Sequence, residues 1–505
     1  MKMKFIKNIF AASAVVVAMT AFTACDYLDI EPENVVPTED VDYTDINNMY
    51  QPVSGCYGAI RGCNMHWIIN LLTNMRDGDI WSGRVDDQGD LVTMDKYVYN
   101  SSWWGVNEMW SQYYNMIRHC NSALQSLDNY AANITSDADM AKYRSYCGEV
   151  RIIRALAYYR LTQMFGDVTI MDVNTQSALR RSTRQVVYEY IIRDLEYAMN
   201  NTPKVRPNEM EHVGAFSGFS AQAFAAKVYL QMENYQKVLE LTNEMITSNK
   251  FQLYDDYYQL FKLPGRLCNE SLMESQVTDF GLGSGDYVGV DQFFNCCGPS
   301  ISNPDTETKS AGGWTFQGYY PEFVTWVEGR GETVRDVTSL LRGGTTTPSG
   351  DAVSMPGNTL NTNVWNGKYY LPLEQFTTGR TTYGTGNNVR IMRYADVLLM
   401  NAEAKVRLGQ NGDEPFNLVR VRAHMSPVSG VTLQQILDER RMEFCGEWGE
   451  RYSDLLRTGE AAKVLGSRGW TPELAYYPVP AGQVDVTTEL KLDPFTTLDE
   501  ALAQQ

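Results

Sequence analysis

The feature that most restricts the folds open to this 505-residue chain is a helical hairpin that occurs twice. Across residues 217–232 and 235–248 apolar side chains recur every three to four positions, the period of one helix face, and only Glu233 and Asn234 separate the two runs. Residues 394–408 and 415–424 repeat the plan around the turn Gly409-Gln410-Asn411-Gly412-Asp413. Ala226-Lys227-Val228-Tyr229-Leu230 and Ala404-Lys405-Val406-Arg407-Leu408 fill the same slot before each turn, and Tyr235 and Phe416 are the aromatics after it. Helices joined by so short a turn lie antiparallel, and a lone pair leaves apolar faces uncovered, so such pairs must stack. The pattern predicts a mainly α fold on a tetratricopeptide-like helix-pair scaffold.

Earlier in the chain the same period continues. The stripe Trp110, Tyr114, Ile117, Cys120, Leu124 and Leu127 predicts a helix over 107–130 with Trp110 in the core. Val150, Ile153, Ala157, Leu161 and Met164 predict a second over 146–165, stopped by Gly166, and a third over 183–200 starts at the cap candidates Ser182 or Thr183. Two stretches break the pattern. Residues 262–390 hold 19 of the 39 glycines, and residues 67–104 are irregular and carry Trp81, Trp103 and Trp104. Compact proteins keep long irregular chain mostly for binding. The expected organisation is therefore a helical scaffold over about 41–66, 105–261 and 391–460, with an irregular, loop-rich ligand-binding region inserted at about 67–104 and 262–390.

The N-terminus speaks to location. Lys2, Lys4 and Lys7 precede an apolar run from Ile9 to Met19 and the small-residue stretch Thr23-Ala24-Cys25, the pattern of a secretory signal peptide over residues 1–24. The run is too short to cross a hydrocarbon core of about 30 Å. Cys25 at the cleavage point marks a lipoprotein box, in which the thiol carries palmitate-type chains; each buried methylene contributes about 0.8 kcal/mol, so two or three chains anchor stably. Asp26, Asp29, Glu31 and Glu33, with Pro32 and Pro37 barring a helix, make residues 25–40 a solvated acidic tether, followed by one domain over 41–505. The rival is plain secretion with Cys25 a bystander. A formal charge of −18 repels phosphate backbones and anionic lipid, which argues against nucleic acid and leaves the lipid anchor as the membrane contact. Eight further cysteines lack metal spacing, with the pair Cys296-Cys297 unexplained, and four histidines give little material for a metal site or a triad.

Five blocks, in order, resemble the SusD/RagB family of Bacteroidetes outer-membrane lipoproteins. They are Arg151-Ile-Ile-Arg154 through Phe165-Gly166-Asp167-Val168; Arg393-Tyr394-Ala395-Asp396 through Ala404 with Val419-Arg420-Val421-Arg422-Ala423; Ile436 through Glu443-Phe444; Glu450-Arg451-Tyr452-Ser453-Asp454-Leu455-Leu456-Arg457; and Tyr477-Pro478-Val479-Pro480. Thr169 stands where the family has proline, and Leu492-Asp493-Pro494 departs from its C-terminal pattern. The resemblance implies a SusD-like domain on the cell-surface side of the outer membrane that captures oligosaccharide or polysaccharide. It further implies delivery to a SusC-like TonB-dependent transporter, without catalysis and without a cofactor.

The charged residues of those blocks, among them Arg393, Glu403, Arg420, Arg422, Glu439, Arg440, Glu443, Arg451, Asp454 and Arg457, are expected to form ion-paired networks between packed helices. By the resemblance, glycan lies on an arc of aromatics, for which the matching positions are Trp81, Tyr287 and Trp314, with Asn74, Asp77, Arg84 and Asp286 as polar partners. Tyr320, Tyr319, Trp103, Trp104, Phe293 and Phe294 are further lining candidates. Flat aromatic faces stack on the C–H faces of sugar rings while Asp, Asn and Arg take the hydroxyls. Asp77, Asp79, Asp86, Asp87 and Asp90 raise calcium as a candidate but lack EF-hand spacing. The alternative function is a peptide- or protein-binding tetratricopeptide-type surface scaffold.

Overall fold

The computed structural model describes residues 41–64, 67–84, 86–175, 179–278, 293–356, 362–377 and 384–503. Residues up to Asn48 belong to a unit of their own, which ends in the 3-10 turn Ile46–Asn48. The second unit starts at Met49. Besides single turns and short C-terminal helices after residue 460, its helical part includes α1 (Gln51–Asn64), α2 (Trp67–Asn74), α3 (Gly89–Met94), α4 (Trp104–Ala131), α5 (Asp137–Phe165), α6 (Arg184–Asn201), α7 (Gly218–Gln231) and α8 (Tyr235–Thr247). Later come α9 (Phe293–Cys297), α10 (Pro321–Gly329), α11 (Val334–Ser339), α12 (Tyr394–Arg407), α13 (Asp413–Arg422), α14 (Leu433–Glu443) and α15 (Glu450–Arg457).

Helices adjacent in sequence pack on one another: α4 on α1 and α5, α5 on α6, α6 on α7, α7 on α8, and α12 on α13 and α14. The two hairpins stack directly, α8 against α12. Their ends are written in local chemistry. Ser217 caps α7 in a reciprocal capping box with Ser220, and the Asn234 side chain accepts from the Lys237 N–H at 3.2 Å to start α8 after Glu233 turns the chain at φ 56°. Helix α5 begins nine residues before the expected start at residue 146, because Ser136 accepts from Asp139 N–H at 3.0 Å and the first turns run over the surface. Trp110 is in the core as expected, edge-on to Phe165 at 5.0 Å.

The inserted regions are more structured than their glycine content suggests. Residues 67–104 contain α2, α3 and the strand β1 (Ile80–Ser82). The mid-chain region adds β2 (Ser271–Ser275), β3 (Ile301–Ser302), β4 (Ser310–Ala311), β5 (Gln317–Tyr319), β6 (Leu340–Arg342), β7 (Ala352–Val353), β8 (Val364–Asn366) and β9 (Val389–Arg393). They form an antiparallel sheet in the order β1-β5-β8-β6, a β2-β9 pair, and a small β4-β3-β7 sheet. In the first, Trp81 faces Gly318 in register, and a Cβ on Gly318 would sit 2.5 Å from the indole.

A buried ionic seam joins the insert to the helices. Arg393, 1 % exposed, reaches Glu270 (2.5 Å), Glu443 (3.0 Å) and Glu447 (2.7 Å). Arg422 also bridges Glu270 and Glu443, Arg335 reaches Glu332, Glu439 and Glu443, and Lys368 reaches Glu447. A second cluster ties Arg440 to Asp396 and Asp454, Lys227 to Asp396 and Glu450, and Arg457 to Glu403 and Asp454. Burial alone would raise the Glu443 carboxyl, but the guanidinium groups of Arg422, Arg393 and Arg335 outweigh it and hold it down at about 2. The charged residues of the sequence blocks thus act as interhelical ties.

Candidate functional site

Two indoles stand out of the surface side by side, Trp104 at 44 % and Trp314 at 36 % exposure. Between them Trp67, the first residue of α2, lies 6.0 Å from each ring centroid, inclined 59° to Trp104 and 89° to Trp314. Phe316 stacks on Trp67 at 5.5 Å and 23° and meets Trp314 at 5.9 Å, and Trp103 supports Trp104 at 5.5 Å. Contacts at these separations favour edge and offset geometries, so the cluster is a fixed relief rather than a set of free rings. Because the exposed planes stand at different angles to Trp67, they are not coplanar.

The backbone explains why these residues meet. Trp103 is the N-cap of α4, and the chain turns so closely there that a Cβ on Gly105 would be 2.4 Å from its indole. Trp314 follows Gly312 at φ 85°, where a side chain would meet the Pro299 carbonyl at 2.5 Å. The N–H groups of Trp314, Thr315 and Phe316 then donate to the carbonyls of Asn295, Gly298 and Cys296, pinning the segment onto α9. Gly83 donates to the Phe316 carbonyl at 2.7 Å, which brings the neighbouring Arg84 beside the platform.

The predicted site residues divide sharply. Trp314 is on the platform, and Trp104 and the mostly buried Trp103 join it from the further candidates. Trp81 is a correction: it is 2 % exposed inside the four-stranded sheet, with its Nε1–H donating to the Tyr319 carbonyl at 3.2 Å, so its ring offers no face to a ligand. Tyr319, Phe293 and Phe294 are core residues as well. Asn74 is buried and spent on the backbone, accepting from Gly449 N–H at 2.9 Å. Asp77 is buried and accepts the N–H groups of Asp79 and Ile80, its carboxyl raised by burial and then by the nearby Asp79. Tyr320 caps α10 beneath Arg468, 4.0 Å from the ring, and its hydroxyl donates to Asp95, whose carboxyl burial pushes up to about 7. Arg84 is partly exposed and paired with Asp86. Tyr287 and Asp286 lie outside the described residues.

Asp79 binds Arg441 (2.8 Å) and Arg451 (3.0 Å), which splits the acidic cluster considered for calcium. Among the described residues no group of three or more His, Cys, Asp or Glu side chains is placed to hold a metal. Cys296 and Cys297 are buried on α9, and the Cys296 carbonyl accepts from Phe316 N–H. The residues that sequence reasoning missed are Trp67 and Phe316. Trp67 opens a helix whose next seven residues are all buried and is itself largely covered; neither it nor Phe316 carried a local signal of the meeting.

Comparison with known proteins places this architecture. The SusD family pattern matches residues 229–477, and a companion pattern described as starch-binding associating with outer membrane matches residues 26–230. The chain belongs to the SusD/RagB family. It is 26 % identical to a SusD-like protein of Bacteroides ovatus over 68 % of this chain and 64 % of that protein's length. It is 24 % identical to SusD-like protein P38 of Formosa agariphila over 94 % and 97 % of the two chains. Among solved structures, surface glycan-binding protein A from Bacteroides thetaiotaomicron in complex with laminarihexaose superposes with a TM-score of 0.73 at 22 % identity, covering 88 % of this chain and 98 % of that one. That likeness establishes the mainly α fold with tetratricopeptide-like repeats.

Proposed function

We propose that this protein is a cell-surface glycan-binding subunit that stacks sugar rings on Trp104 and Trp314, with Trp67 and Phe316 setting the angle between them. The single observation that carries the reading is a pair of half-exposed indoles locked into one relief by buried aromatics. Arg84 supplies a polar edge for hydroxyls. Two stacking planes out of line favour a chain that turns between the sugars it presents over a flat ribbon. The structural neighbour that holds laminarihexaose makes that oligosaccharide one of the first probes. The peptide-groove reading is weakened by α7, most of which is buried and whose flanks are taken by α6 and α8.

The reading includes acylation at Cys25, a surface-facing outer-membrane location and hand-over to a SusC-like TonB-dependent transporter. Cys25→Ala should move the protein from the detergent phase to the aqueous phase and leave glycan binding intact. Electrophoresis through gels containing different polysaccharides tests recognition: at least one should retard the wild type, and none should retard a Trp104→Ala/Trp314→Ala double variant. Retardation of the double variant equal to wild type overturns the site.

A further inference from the structure

The second open cavity of interest lies far from the platform, walled by α4, α5, α6 and the segment 172–175, with a volume of about 650 Å³. It is reached along α4: Trp104 starts that helix, and Asn121, Leu124 and Asp128 stand on the cavity wall roughly 25–35 Å further on at 1.5 Å per residue. The volume is in the range of about 300–1,000 Å³ typical of small-molecule sites.

The hydrogen-bonding inventory of this cavity is lopsided. Its carboxylates and the Asn121 amide oxygen already face protein donors. Asp194 takes Arg151 at 2.8 Å and Arg154 at 2.8 and 2.9 Å; Asp172 takes the Tyr190 hydroxyl at 2.6 Å and Arg193 at 2.7 Å; Asp128 takes the Tyr143 hydroxyl at 2.6 Å. The Asn121 carbonyl oxygen takes Arg154 at 2.9 Å. Its donors are not consumed. Arg151 and Arg193, 25 % and 37 % exposed, each commit one terminal nitrogen and hold the other with no partner among the described residues. Both guanidinium groups also lie over rings, Arg151 over Tyr197 at 4.4 Å and Arg193 over Tyr190 at 4.5 Å. Leu124, Val173 and Tyr197 supply an apolar lining next to those donors.

We propose that this cavity is a second saccharide subsite, which takes a sugar ring bearing a carboxylate. Oriented guanidinium donors match a carboxylate in geometry and charge, and a neutral hydroxyl gains less from them. The wall carboxylates each already hold a protein donor while the exposed edges of Arg151 and Arg193 point to no carboxylate, so discrimination rests on the oxyanion. The strongly acidic remainder of the chain disfavours a polyanion, which makes a single acidic residue within or at the end of a glycan the matching ligand.

The test is calorimetric titration of the full chain with D-galacturonate and D-glucuronate, with D-galactose, D-glucose and inorganic sulfate for comparison. A uronate should bind at least tenfold more tightly than its neutral counterpart and than sulfate. Arg193→Ala and the cavity-filling Val173→Trp should each weaken uronate at least tenfold, while Trp314→Ala leaves it unchanged. Absence of uronate binding, equal binding of the neutral sugar or of sulfate, or unchanged uronate affinity in Arg193→Ala overturns the proposal. Should Arg193→Ala not fold, Val173→Trp decides: its substitution is at a surface residue 37 % exposed, and unchanged uronate binding there refutes the site.

Discussion

Trp314→Ala separates a stacking platform from a merely packed cluster. Large aromatic side chains bury about 150–250 Å² when fully enclosed, and Trp314 leaves 36 % exposed. A sugar ring covering that face removes on the order of 50–90 Å², which at about 25 cal/mol per Å² contributes roughly 1–2 kcal/mol, or about 5–30-fold in Kd. Trp104, at 44 %, should contribute as much or slightly more. The double variant should lose on the order of 100-fold, with some departure from additivity because both rings lean on Trp67. Removal of Trp314 also forfeits its contacts with Trp67 and Phe316, a structural loss of about 1 kcal/mol that lowers Tm by no more than a few degrees. Affinity electrophoresis identifies the glycan, calorimetry gives Kd, and a melting curve on each variant controls for the fold. The reasoning is refuted if Trp104→Ala and Trp314→Ala both keep wild-type Kd, and doubly so if Trp81→Phe loses binding at an unchanged Tm.

Arg393→Leu removes the common partner of Glu270, Glu443 and Glu447 and leaves buried carboxylates undercompensated, so urea unfolding should report a loss of roughly 3–5 kcal/mol; a loss below about 1 kcal/mol would show the seam to be dispensable. Burial raises the carboxyls of Asp95 and Glu149 to about 7 and about 8, well above their unfolded range near 4, so the native state binds the extra protons and stability declines as pH rises through that interval. Glu443, held at about 2, contributes above its unfolded value of 4.5 and is lost as pH falls below it, which places the Tm maximum at about pH 5; a Tm that climbs steadily from pH 5 to 8 contradicts this assignment. Gly312→Ala forces a side chain into φ 85° and against the Pro299 carbonyl, at about 1–2 kcal/mol, and should weaken glycan binding by displacing Trp314; wild-type affinity at unchanged Tm would show that the turn does not position the ring.

How far the chain could be read depended on the range of the interactions involved. Helices α4 to α8, α12 and α13 announce themselves through periodicity, caps such as Ser217, and stops such as Gly166, all within a few residues of one another. The charged blocks were readable as ties because so many arginines and carboxylates on apolar-striped helices have nowhere to go but to each other. Trp81 misled because Asp77-Gly78-Asp79 reads as loop, while the strand that encloses its indole comes from Gly318, far along the chain. Trp67 was overlooked for the same reason: its neighbours Trp314 and Phe316 arrive only when the two inserted regions meet, and nothing local encodes that meeting. The mid-chain glycines suggested slack, yet several serve tight pairings in which a Cβ has no room, as at Gly318.

The ionic seam has a consequence for anyone wishing to exchange specificities between proteins of this kind. Glu270, Arg335 and Lys368 belong to the inserted region, while Arg393, Arg422 and Glu443 belong to the strand and helices that follow it and Glu447 to the turn between α14 and α15. Lifted out as a cassette, the region would carry Glu270 and Lys368 without their ion-pair partners and Arg335 with Glu332 alone, and would leave several charges behind in the host. Grafts should therefore keep those seven positions as fixed sockets and confine exchange to the rim that carries Trp314. On this view the part of the chain free to diversify is smaller than its glycine-rich length, and the seam marks its border.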